Sequence, residues 1–77
     1  MVNACPSRTC RVVAALPDGS TVYMTCFIDA QWITDRYKSN RWFEIRFKQR
    51  NAKREQTGFI HSSDIVYQAL TPRCAKH

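Results

Sequence analysis

Apolar and polar positions alternate with a two-residue period in two stretches of the chain. Across residues 21–28, Val22, Met24 and Cys26 share one face, and the run is rich in β-forming residues. Across residues 41–48, Phe43, Ile45 and Phe47 share one face while Trp42, Glu44, Arg46 and Lys48 share the other. Both stretches read as half-buried strands, and the face of Phe43, Ile45 and Phe47 belongs in the core. Shorter runs complete the pattern: an apolar stretch at 11–16, Gly-Phe-Ile-His at 58–61 and Ile-Val-Tyr at 65–67. No sustained helical period and no internal repeat is present.

The segments between these runs carry turn chemistry. Pro17-Asp18-Gly19 turns the first apolar stretch sharply into the strand at 21–28, since proline presets φ and glycine is free to take a positive one. Residues 29–40 hold Trp32, Ile33 and Tyr37 among polar residues, and this spacing predicts an ordered, exposed loop. The polar, basic segment 49–57 predicts a hairpin with a long arm, and Ser62-Ser63-Asp64 a hydroxyl-rich turn or a single 3₁₀ turn. Five short strands punctuated in this way predict an all-β, single-domain chain over residues 1–77, folded as a small closed or partly open barrel.

A core this small is only marginally stable unaided, and the four cysteines, Cys5, Cys10, Cys26 and Cys74, supply the remedy. Four cysteines allow three connectivities, and the sequence does not choose among them. Geometry favours Cys5 with Cys10, closing a small loop around Pro6-Ser7-Arg8-Thr9, and Cys26 with Cys74, tying the tail to the second strand. A zinc site of four thiolates is disfavoured, because there is only one close pair and its spacing is wide, and free cysteines in a cytosolic protein are the other alternative. Disulfides place the chain outside the cytosol, yet the start of the sequence lacks the apolar stretch of a signal peptide, and no run is long enough to span a bilayer. The expectation is a part of a longer exported protein, with Met1 not native.

Charge is concentrated in one region. Of twelve basic residues, eight lie between Arg36 and Arg54, against the single acid Glu44, within a net charge of +6. Such a field attracts polyanions or simply keeps a loop solvated. Neither His61 nor His77 has a partner at ligand spacing, and a strand histidine capped by Ser62 or Ser63 is the expected role. Asp18, Asp29 and Asp35 form no acid/base pair, and Ser62-Ser63-Asp64 lacks a glycine-flanked elbow. No catalytic residue, metal or cofactor is assigned.

The order of residues resembles the bacterial Src-homology-3-like domains of exported and cell-wall-associated proteins. Val2-Asn3-Ala4-Cys5-Pro6-Ser7 resembles their opening Val-Arg-(Ser/Ala)-x-Pro-Ser, with Asn3 in place of arginine. The stretch 12–22 is similar to the apolar doublet, Leu-x-x-Gly turn and strand that follow in that family. Trp42-Phe43-Glu44-Ile45 resembles its Trp-x-x-Val strand, and 58–65 its closing Gly-Trp-Val-x-Ser-x-x-Val, with Phe59 replacing the tryptophan and Asp64 an aromatic residue. The likeness spans residues 2–66. It implies a five-stranded Src-homology-3-like barrel acting as a non-catalytic recognition module for peptidoglycan peptides, other wall components or protein segments. Those two replacements weaken the proline-peptide route of eukaryotic relatives.

On that resemblance, Trp32, Tyr37, Arg41 and Trp42 form the expected contact surface, with Arg46, Lys48, Arg50, Lys53 and Arg54 as an electrostatic flank. Aromatic rings beside cations suit peptide, sugar or base stacking. The competing expectation is that Trp32 and Trp42 are covered as part of the core. Two further readings stand beside recognition of the wall: a basic barrel binding nucleic acid, and a structural or targeting appendage of a larger protein.

Overall fold

In the computed structural model, residues 1–16, 22–34, 38–49, 52–65 and 70–75 are described. They form five strands: β1 (Val2–Asn3), β2 (Val12–Ala14), β3 (Tyr23–Thr34), β4 (Lys38–Phe47) and β5 (Gln56–His61). A single 3₁₀ turn, Ser62–Asp64, follows directly. The fold is all-β, one antiparallel sheet in the order β2-β1-β5-β4-β3.

The alternation at 41–48 places Phe43, Ile45 and Phe47 in the core as expected, 3%, 0% and 4% exposed, together with Val2 and Ala14. Val13, Leu16, Val22, Met24, Phe27, Ile60 and Ile65 pack around them. Gly58 is required where β1 pairs with β5. A Cβ there would run into Val2 Cγ1 and approach Val13 Cγ2 at 3.1 Å, so the two strands approach closely only because the side chain is missing.

The expected loop at 29–40 is corrected. Asp29, Trp32 and Ile33 continue β3, and Lys38, Ser39 and Asn40 open β4, so this region is the far arm of a long hairpin. Register shifts between Met24 and Cys26 and between Asp29 and Ile33 break the two-residue period without ending the ladder. A second correction concerns the N-terminus, where Val2 and Asn3 form a strand of their own. The expected turn at Pro17-Asp18-Gly19 and the strand positions Val66 and Tyr67 lie outside the described residues.

The sheet rolls but does not close as a ladder: β2 and β3 are its two ends, and no pairing among the described residues joins them. Other contacts span the gap. Gln31 of β3 donates its N–H to the carbonyl of Pro6 at 3.4 Å, and its Oε1 accepts from the Arg8 N–H at 2.6 Å. The loop between β1 and β2 thus leans on the far end of β3. Further along the same strand, Phe27 pairs with Arg73 in a parallel bridge: its N–H donates to Pro72 O at 2.9 Å and its carbonyl accepts from the Cys74 N–H at 2.8 Å. A free edge that would template aggregation is thereby covered by the chain's own tail.

Both disulfides are the favoured pair. Cys5–Cys10 staples the β1–β2 loop, and Cys26–Cys74 joins β3 to the tail across 48 positions. They are the chemistry of an oxidising, extracytoplasmic environment. No helix among the described residues is long and apolar enough to cross a membrane.

Candidate functional site

The expected contact residues separate into three environments. Trp32, on the hairpin arm, is 60% exposed, with the Lys38 ammonium 5.4 Å from its ring centroid. The pair is available to a ligand. Tyr37 and Arg50 lie outside the described residues.

Trp42 is corrected from a surface contact to a core residue. It is 0% exposed, and its indole N–H donates to the carbonyl of Gln31 at 2.9 Å. Its ladder partner His61 meets it edge to face, with centroids 5.2 Å apart at 74°. Alternation put Trp42 on the face opposite Phe43, and that remains true. The rolled sheet buries this second face as well, along with Phe59, Asn3 and Cys26.

His61 is held on both sides of its ring. Nδ1 accepts from the Ser63 N–H at 3.2 Å and faces Ser63 Oγ at 2.7 Å, while Nε2 lies 2.9 Å from the carbonyl of Ser39. A carbonyl can only accept and a backbone N–H can only donate, so the proton sits on Nε2 and Nδ1 is bare. His61 therefore caps the 3₁₀ turn and ties it to the start of β4; the expected contact with a neighbouring serine is present at Ser63, but the histidine is the cap and not the capped group.

Beside Trp42 the surface opens into a groove of about 350 Å³ lined by Met1, Asn3, Arg8, Val12, Trp42 and Asp64. Its walls come from β1, β2, the stapled loop and the 3₁₀ turn. Asn3, where the resembling family has arginine, donates its Nδ2–H to Cys10 O at 3.1 Å. It fastens the loop instead of projecting a charge. Arg8 and Asp64 bring opposite charges to the groove, and Met1 and Val12 bring exposed apolar surface.

The basic flank does not adjoin Trp32. Arg46 and Lys48 lie at the far end of β4 from Lys38, separated by roughly 30 Å of extended strand in a molecule whose longest extent is 34 Å. Lys53 and Arg54, both exposed, sit in the β4–β5 connection at that same far end. Arg46 stacks over the exposed Tyr23, 4.5 Å from its centroid.

Arg41 has a different setting from either group. Its guanidinium lies 4.1 Å from the centroid of Phe27, and Arg73 of the tail lies 5.0 Å from the same ring. Both reach Asp29, Arg41 Nε to Oδ1 and Arg73 Nη2 to Oδ2, each at 3.6 Å. Phe27 and Arg73 were not singled out in the sequence, and Asp29 was weighed there only as a catalytic carboxylate. Their signal was the pairing itself: a bridge from Cys26 to Cys74 puts residue 73 beside residue 27.

Cys26, Glu44 and Cys74 bring three ligand-type atoms within 4.8 Å of one another. With the sulfurs joined to each other there is no thiolate to offer a metal. Comparison of the chain with protein-family models, with curated proteins and with solved structures finds no match.

Proposed function

We propose that this chain is a non-catalytic recognition module of the bacterial Src-homology-3-like kind, working outside the cytoplasm as part of an exported protein and binding a cell-wall peptide or a protein segment. The observation that carries this reading is the exposed Trp32 with Lys38 over its ring, on a hairpin arm whose ladder is paired on both sides of it. A large ring left in solvent, backed by fixed structure, costs little ordering entropy when a ligand covers it. The groove beside Trp42 offers a second surface, with both signs of charge in its lining. The two disulfides and the residue order described above support the same reading.

The test is cosedimentation with purified peptidoglycan. Trp32→Ala with Lys38→Ala should abolish binding while the chain stays folded; unchanged binding in that double variant rules the surface out. Nucleic-acid binding is a second reading favoured by one observation, the cations stacked on rings at Trp32, Tyr23 and Phe27. It requires retention on single-stranded DNA that falls steeply with salt, with no preference for wall material.

A further inference from the structure

We propose that Arg41 and Arg73, set against the ring of Phe27, form a binding site for a carboxylate of an acidic peptide, and that Asp29 occupies this site as an internal stand-in for the ligand. The proposal rests on the recognition reading only in taking this surface to bind a ligand, and it deepens that reading by naming the ligand's chemistry.

Three features point to a ligand. First, both guanidiniums are pre-positioned: stacking at 4.1 and 5.0 Å from the Phe27 centroid restricts the side-chain freedom that a bound anion would otherwise have to freeze. Arg73 is held further by the backbone bridge to Phe27 and by the neighbouring Cys26–Cys74 disulfide. Second, one carboxylate already spans the pair, one oxygen to each arginine, which shows the shape of anion the pair accepts. Third, that carboxylate does not satisfy them. At 3.6 Å its contacts exceed charge-assisted hydrogen-bond length, and two positive groups face one negative group.

Among the described residues Asp29 is the only acid in contact with either arginine. The side chains are 47% and 62% exposed, so their N–H edges are open to an incoming partner. A carboxylate with freedom to approach could take short, paired N–H···O bonds that Asp29, fixed on β3, does not reach. A side-chain carboxylate and a peptide C-terminus share this chemistry.

The Nε–Hε resonances of Arg41 and Arg73 in the full oxidised chain report on the site directly. Titration uses Ac-Gly-Glu-Gly-NH2 for a side-chain carboxylate, Ac-Gly-Gly-Gly-OH for a terminal one, Ac-Gly-Gln-Gly-NH2 as neutral control, and inorganic phosphate. Saturable shifts of both resonances are expected with one or both carboxylate peptides and none with the glutamine peptide, and the arm that saturates identifies the source. Asp29→Asn should tighten peptide binding several-fold, because it removes the internal competitor, and Arg73→Ala should abolish saturation at Arg41. If the cluster only fastens the tail, Asp29→Asn leaves the peptide response flat and speeds exchange of the Cys74 amide, which overturns the proposal. Saturation by phosphate but not by either carboxylate peptide overturns it too, in favour of a phosphate polymer. Peptidoglycan binding through Trp32 is measured separately, so either reading can fail without the other.

Discussion

His61 and Trp42 stand directly opposite each other on β5 and β4, and the two rings meet edge to face with centroids 5.2 Å apart. The pair links three parts of the chain. Through Ser63 it caps the 3₁₀ turn, through Ser39 it holds the start of β4, and through Gln31 it reaches the arm of β3. His61→Ala removes the ring and leaves the Ser39 carbonyl and the Ser63 N–H without their partner, which should cost on the order of 3 kcal/mol. His61→Asn keeps an acceptor for the cap and should recover about 1 kcal/mol of that. Urea denaturation followed by tryptophan fluorescence measures both, and equal midpoints for the two variants would disprove the capping role.

The two tryptophans should separate binding from stability. Trp32→Ala touches an exposed ring and should move stability by no more than about 0.5 kcal/mol. Trp42→Phe leaves the Gln31 carbonyl without a donor and underfills a buried site, at about 1–3 kcal/mol. Thermal melts of the two variants beside wild type decide the matter, and the opposite order would mean that the surface and core assignments are exchanged.

Gly58→Ala should destabilise the fold by about 1–3 kcal/mol, because the added methyl collides with the buried Val2 side chain. Combining it with Val2→Ala makes room for the methyl, so the double variant should lose less than the sum of the two single losses. A double-mutant cycle on urea midpoints reads the coupling, and strict additivity would show that Val2 does not pack against residue 58.

The two disulfides should differ in what they stabilise. In the chain-entropy account, removing Cys26–Cys74 by paired serine substitutions costs about 4 kcal/mol, and removing Cys5–Cys10 about 2 kcal/mol, because the first closes a far longer loop. Loss of Cys26–Cys74 should also expose the Phe27 and Cys74 amides, which the tail's bridge now protects. Amide exchange by mass spectrometry would show protection vanish there and persist at β4 and β5. Retained protection at Phe27 would mean that the backbone bridge holds the tail without the disulfide.

Much of the sheet was readable because burial on one face imposes a two-residue period. Phe43, Ile45 and Phe47 announced their strand in this way, whereas Gly58, Phe59, Ile60 and His61 were legible only as a short apolar run after a polar segment. The arm of β3 was not readable. Its register shifts push successive side chains out of phase, so Asp29, Trp32 and Ile33 resemble a loop although the ladder continues through them. β1 was missed for a different reason: Val2–Asn3 is too short to show a period, and it is a strand only because β2 and β5 flank it.

The chain order alone determined the all-β class and one core face, since periodicity and turn residues are local properties. The tertiary structure decided which of the aromatic residues are buried and which are left in solvent. Trp42 and Trp32 look alike in their immediate sequence, each between a polar residue and an apolar one (Arg41 and Phe43, Gln31 and Ile33). Rolling the sheet buries one beneath Gln31 and the stapled loop and leaves the other in solvent. The same rolling and the Cys26–Cys74 bridge bring Arg73 to Arg41, two residues 32 positions apart in the chain. Burial on a second face and the meeting of distant charges depend on how strands curl and what crosses them, and no local pattern encodes that.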